Sequence, residues 1–66
     1  MHRESIAASG TVSASMPNAL LRVSLDNGHE VQAQPPGGVR IVPGDRVTVE
    51  LDSRDLSRGR ITTWAK

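Results

Sequence analysis

Apolar side chains recur at every second position through most of this chain, the spacing of extended strands that turn one face to a core and the other to water. From Ile6 the even positions read Ile6, Ala8, Gly10, Val12, Ala14 and Met16, with Ala7, Ser9, Thr11, Ser13 and Ser15 between them. This predicts one long half-buried strand in which Gly10 marks a bulge or a sharp bend. Pro17-Asn18 breaks the run, and alternation resumes with Ala19, Leu21, Val23 and Leu25 inward and Arg22 and Ser24 outward. Asp26-Asn27-Gly28-His29 predicts a hairpin, because Asn-Gly tolerates the positive φ of a type I′ turn. A third strand follows from Glu30 to Gln34, with Val31 and Ala33 inward.

Pro35-Pro36-Gly37-Gly38 ends that strand, since proline cannot donate to a ladder and paired glycines are costly to order. Beyond Val39-Arg40-Ile41-Val42, Pro43-Gly44-Asp45 predicts a turn, and Arg46 to Leu51 a fourth strand with Val47, Val49 and Leu51 inward. Asp52 is placed to cap a short helical turn through Leu56, with Gly59 as its left-handed terminator. Arg60 to Trp64 predicts the last strand. Five short strands and at most a helical turn define an all-β chain, a small Greek-key barrel of the oligonucleotide/oligosaccharide-binding (OB) or SH3-like type. The pattern alone leaves both open.

The length permits one domain, residues 1–66, with residues 1–5 expected as a flexible N-terminus. A domain of this size buries only about 60% of the surface its unfolded chain exposes, and this one has no cysteine to staple it. Closing a sheet on itself is the economical solution. No apolar run follows the first residues as a secretory signal requires, and none approaches the roughly 18 residues of a membrane span. A soluble cytoplasmic protein is expected.

A net charge of +1 does not by itself indicate a polyanionic partner, but the charge is polarised. Residues 54–66 carry Arg54, Arg58, Arg60 and Lys66 against Asp55 alone, whereas residues 23–52 set only Arg40 and Arg46 against Asp26, Glu30, Asp45, Glu50 and Asp52. The two histidines, His2 and His29, lie far apart and without cysteine, so they make no recognisable metal site. No nucleophile stands beside a base in any motif, which argues against an enzyme.

Three stretches carry a family resemblance: Gly10-Thr11-Val12; Pro17-Asn18-Ala19 with Arg22-Val23 and Asn27-Gly28-His29; and Gly44-Asp45-Arg46-Val47-Thr48-Val49-Glu50-Leu51 running on to Asp55-Leu56-Ser57-Arg58-Gly59-Arg60-Ile61. In this order they resemble bacterial translation initiation factor one, nearly collinearly from Ile6 to Ile61. The resemblance implies a five-stranded OB barrel, monomeric and without metal, nucleotide or other cofactor or small-molecule substrate. It implies a place in the aminoacyl-tRNA site of the small ribosomal subunit, against 16S ribosomal RNA and ribosomal protein, alongside the other two initiation factors. The chain departs from the family where Pro35-Pro36-Gly37-Gly38 replaces the usual basic, helix-forming insertion, and Thr62-Thr63-Trp64-Ala65-Lys66 is less basic than the usual tail.

The outer face of strands two and three is the usual nucleic-acid platform of an OB barrel, which nominates Arg22, Gln32 and Gln34. Arg58 and Arg60 flank Gly59 and are placed to donate to phosphate oxygens. His29, Arg40, Arg46 and Lys66 complete the candidate RNA contacts, together with Trp64, the only aromatic residue. Beside Arg60 and Thr62 it would face outward and stack on a base, a contact worth about 1–3 kcal/mol; otherwise it caps an open barrel end. Without phenylalanine or tyrosine the stacking surface of a cold-shock protein or RNA-recognition motif cannot be built. A protein-interaction barrel or an RNA chaperone that has lost ribosome binding is the alternative.

Overall fold

Strand β1 (Ser5–Ser15) belongs to two ladders at once, and that double use closes the molecule. Its first half pairs antiparallel with β4 (Arg46–Asp52), from Ser5 opposite Asp52 to Thr11 opposite Arg46. Its second half pairs with β2 (Leu21–Leu25), from Gly10 opposite Leu25 to Ser15 opposite Leu21. Strand β3 (Glu30–Gln34) follows β2 as an antiparallel hairpin and then runs parallel to β5 (Asp55–Trp64), which returns antiparallel to β4. The result is a closed barrel in the order β1-β2-β3-β5-β4. The structure is a computed structural model and describes residues 5–64. Of the expected N-terminal tail, Ser5 belongs to β1, and residues 1–4 lie outside the described residues.

From Gly10 onward the alternation holds, whereas Ile6, expected at the start of the inward run, is 44% exposed. Val12, Val23 and Val49 are the largest fully buried side chains, joined by Leu21, Leu25, Val31, Ala33, Val47, Leu51 and Ile61. A core of aliphatic residues, most of them β-branched, with no fully buried ring is narrow, and two glycines let the ladders close around it. A Cβ on Gly10 would lie 2.5 Å from the Ser24 carbonyl oxygen, and one on Gly59 would lie 2.6 Å from that of Glu50. Gly10 thus permits a close backbone approach where β1 carries both ladders. The bulge foreseen there falls instead between Val12 and Ala14, which leaves Ala14 opposite the outward Arg22.

Three turns differ from their sequence reading. At the β2–β3 hairpin only Gly28 has positive φ (94°), and its N–H donates to the Leu25 carbonyl at 3.0 Å. This is a three-residue loop built on a turn with Asp26 and Asn27 at its centre, closed by a left-handed glycine, rather than a type I′ turn. Ala19, expected in β2, has φ 66° and belongs to the preceding turn. No helical turn forms after β4. Asp52 pairs with Asp55 across a tight hairpin, and its carboxylate accepts the Arg54 N–H at 2.8 Å. A helix cap and an Asx turn use the same side-chain-to-backbone bond, so Asp52 signals both alike. Gly59 is a strand residue facing Leu51.

The β3–β4 connection buries Ile41 in the core and rests Val39 against it. Its Pro43-Gly44 turn, with Gly44 at φ 99°, docks on β1: Gly44 N–H donates to the Val12 carbonyl at 2.8 Å and Val12 N–H to that of Asp45 at 2.9 Å.

Because a backbone carbonyl oxygen, along with core side-chain atoms, stands where each Cβ would go, Gly10→Ala and Gly59→Ala are each expected to lower stability by about 1–3 kcal/mol. Gly37→Ala, which meets nothing within 4 Å, should be near neutral. Urea unfolding midpoints of the three variants check this.

Candidate nucleic-acid interface

The strand registers assemble a face that no single stretch of sequence contains. Arg22 of β2 lies opposite Gln32 of β3, which lies opposite Arg58 of β5. One step along, Gln34 of β3 lies opposite Arg60, which lies opposite Glu50 of β4. All six side chains are exposed. They point outward because they alternate with core residues: Arg22 between Leu21 and Val23, Gln32 between Val31 and Ala33, Arg60 between Gly59 and Ile61. Neighbouring strands are about 4.8 Å apart, so Arg22 and Arg58 flank the Gln32 amide across roughly twice that spacing.

Arg58 is where the concave surface converges. A groove of about 410 Å³ is lined by Arg22, Glu30, Val31, Gln32, Ser57 and Arg58. A second, of about 350 Å³, runs over Arg58 and Gly59 to Asn18, Leu20, Gln32 and Gln34. A third, of about 280 Å³, joins Arg58 and Arg60 to Glu50 and Asp52. Among the described residues no carboxylate is ion-paired with Arg22, Arg58 or Arg60. The face therefore sets guanidinium donors and the Gln32 and Gln34 amides beside the Glu30 and Glu50 carboxylates, and the donors suit phosphate oxygens and base edges. Asn18, Glu30 and Ser57 were not anticipated as part of it: Glu30 shares the outward side of β3 with Gln32, and the β3–β5 pairing at Gln32 and Arg58 brings Ser57 to the groove.

The remaining candidates lie elsewhere. Arg46 of β4 is engaged: its guanidinium donates to both carboxylate oxygens of Asp26, at 2.8 and 2.9 Å, and to the Thr11 hydroxyl at 3.1 Å. Hydrogen bonding to Arg46 is the largest cause holding the Asp26 carboxyl below its ordinary value of 3.8, and the same bond keeps Arg46 more firmly protonated. His29 is exposed beside the β2–β3 turn, its N–H bonded to the Asn27 side chain at 3.0 Å. Arg40 is exposed on the β3–β4 connection. Trp64 does not share the face of Arg60. Thr62 is an extra residue between the Thr48–Thr63 and Val49–Ile61 pairs, and this bulge sets Trp64 opposite the buried Val47, half-buried against the core. Lys66 lies outside the described residues. Among those residues no three His, Cys, Asp or Glu side chains gather as a metal site, and no helix is long and apolar enough to cross a membrane.

A closed five-stranded barrel with one parallel pair, β3 with β5, is an OB-fold barrel. No protein-family model matches the chain. It is, however, similar to a solution structure of translation initiation factor one from the Wolbachia endosymbiont strain TRS of Brugia malayi, with 38% sequence identity and a TM-score of 0.75 over 94% of this chain and 79% of that one. The chain belongs to the family of translation initiation factor one.

The Asp26–Arg46 pair has a pH signature. Because the folded-state pKa of Asp26 is depressed, its contribution to stability is complete above pH 3.8 and is lost as pH falls below that value. Asp26→Asn should therefore melt slightly below the wild type at neutral pH, and the gap should close on acidification through that window and narrow with added salt. Thermal melts followed through Trp64 fluorescence read both effects.

Proposed function

We propose that this protein is a non-catalytic translation initiation factor that binds the small ribosomal subunit at its aminoacyl-tRNA site, holding 16S ribosomal RNA against the outer face of β2, β3 and β5. The observation that carries the reading is the set of three arginines, Arg22, Arg58 and Arg60, that have no carboxylate partner among the described residues and share one face of a chain of this family. Arg22 and Arg58 bind backbone phosphates on either side of Gln32, and Arg60 with Gln34 extends the contact along the strands. The interaction is electrostatic and polar, because the only aromatic ring is packed against the core. Ribosomal protein and the other initiation factors are its neighbours there, and it works as a monomer in the cytoplasm. Its role involves no bond-making step, cofactor or small-molecule substrate.

Arg46 does not join this face, since Asp26 already occupies the fork of its guanidinium. His29, Arg40 and Trp64 would make peripheral contacts at other edges of the barrel.

Co-sedimentation with purified small subunits tests the reading. Binding should be displaced by an authentic initiation factor one, and log K should fall by about 0.7–0.9 per phosphate contacted as log salt rises. The double substitution Arg58→Glu with Arg60→Glu should abolish binding while leaving the thermal melt near that of the wild type. No co-sedimentation at low salt would overturn the ribosomal reading, and binding partners retained after nuclease treatment would favour a protein-interaction barrel instead.

A further inference from the structure

Arg58 is the residue shared by all three grooves, yet the chain that leads to it is poorly held. Between Asp55, which pairs with Asp52, and Gly59, which pairs with Leu51, strand β5 carries three residues that β4 does not match. Leu56 and Ser57 have no partner in either neighbouring ladder, and pairing with β3 begins only at Arg58, opposite Gln32. The core does not anchor the segment either, because Leu56 is 52% exposed.

What fixes it is one carboxylate oxygen. Asp55 Oδ1 accepts the Ser57 hydroxyl at 2.6 Å and the Ser57 backbone N–H at 3.2 Å. These two bonds fold the unpaired stretch into a defined loop directly before Arg58. The hydroxyl bond is also the main reason that the Asp55 carboxyl lies below its ordinary value, with attraction to Arg58 the smallest cause. Asp55 therefore acts on its surroundings chiefly through Ser57.

We propose that Asp55 and Ser57 are positioning residues for anion binding, a hydrogen-bonded staple that sets the Arg58 guanidinium over the groove shared with Arg22 and Gln32. This rests on the RNA-binding reading of that face. It makes a prediction opposite in sign to simple electrostatics. Removing an acidic side chain next to a phosphate site strengthens anion binding if only charge matters; if the staple matters, losing it weakens binding even though the local charge becomes more positive.

The test compares Asp55→Ala with Asp55→Asn, two variants of equal net charge, in co-sedimentation with small subunits at fixed salt. Asparagine keeps an oxygen that can accept from Ser57, so Asp55→Asn should bind at least as tightly as the wild type. Asp55→Ala should bind about tenfold more weakly than Asp55→Asn, equivalent to about 1.4 kcal/mol. Ser57→Ala should lose a similar factor without any change of charge, and Ser57→Thr, which restores the hydroxyl, should recover it. In an Arg58→Ala background Asp55→Ala should add no further loss, because the pair acts through the side chain already removed.

Equal affinities for the alanine and asparagine variants would overturn the proposal, as would additive losses in the Arg58→Ala background. Should Asp55→Ala fail to fold, as judged by Trp64 fluorescence, Ser57→Ala and Ser57→Thr decide the question alone. If Arg58→Ala itself binds subunits like the wild type, the RNA reading of this face falls together with the staple. A weakened Arg58→Ala beside an unaffected Asp55→Ala removes the staple only.

Discussion

The backbone of β1 at Gly10 and Thr11, paired on one side with β2 and on the other with β4, is the constraint on which the molecule depends. A sheet of five short strands has two open edges unless one strand serves both ends, and closure removes them. It demands that the ladders approach more closely than a side chain would permit, and Gly10 and Gly59 are the two places where backbone carbonyls crowd in. The valine-rich core then follows from the narrow interior. So does the outer face, because a barrel this tight brings β2, β3 and β5 side by side and sets Arg22, Gln32 and Arg58 in one row.

Charge is divided on this surface according to what each arginine meets. Arg46 finds Asp26 across the β2–β3 turn in a bidentate fork, while the Asp26 backbone N–H bonds the Ser9 carbonyl at 3.0 Å. The turn is thereby tied to β1 and β4, and Arg46 is committed to that tie. Among the described residues Arg22, Arg58 and Arg60 have no such ion-paired partner, so an incoming anion has no such pair to break there. A guanidinium already bonded to a carboxylate must first give up those bonds before it can bind another anion.

Much of this was legible in the sequence, and the exceptions share a cause. Strand β3 runs from Glu30 to Gln34 as its alternation and flanking turn residues indicate, and every residue read as inward in β3 and β4 is buried. Alternation counts positions along one strand, however, and a bulge is defined by the partner. Thr62 looks like any other strand residue, yet its extra step opposite β4 carries Trp64 from the side of Arg60 to the side of Val47. Asp52 and Gly59 carry signals common to a helix boundary and a hairpin, and only the ladder to β4 decides between them. In the candidate site, Arg22, Gln32, Gln34 and Arg60 were recognisable one by one as outward strand positions, and Arg58 only as an arginine flanking Gly59 before the last strand. That Gln32 meets Arg58 was not, because a parallel pairing between β3 and β5 leaves no local trace. The same holds for the engagement of Arg46 by Asp26, twenty residues away.

The shortened β3–β4 connection bears on where the binding energy must reside. A connection there has two separable tasks, covering the core and presenting charge. Here the first is met by Ile41, buried to 7% exposure, and by Val39 beside it, while Arg40 is the one cation between Gln34 and Asp45. Barrel integrity thus does not require a helix at this position. On the proposed reading, the electrostatic contact with RNA would concentrate on the strand face, where each arginine would carry a larger share of the total than it would beside a basic arm. Because counterion release scales with the number of phosphates neutralised, a small set of fixed arginines gives a shallow salt dependence and high sensitivity to how each one is held. On that reading, the geometry around Arg58 would matter more than it would beside a basic arm.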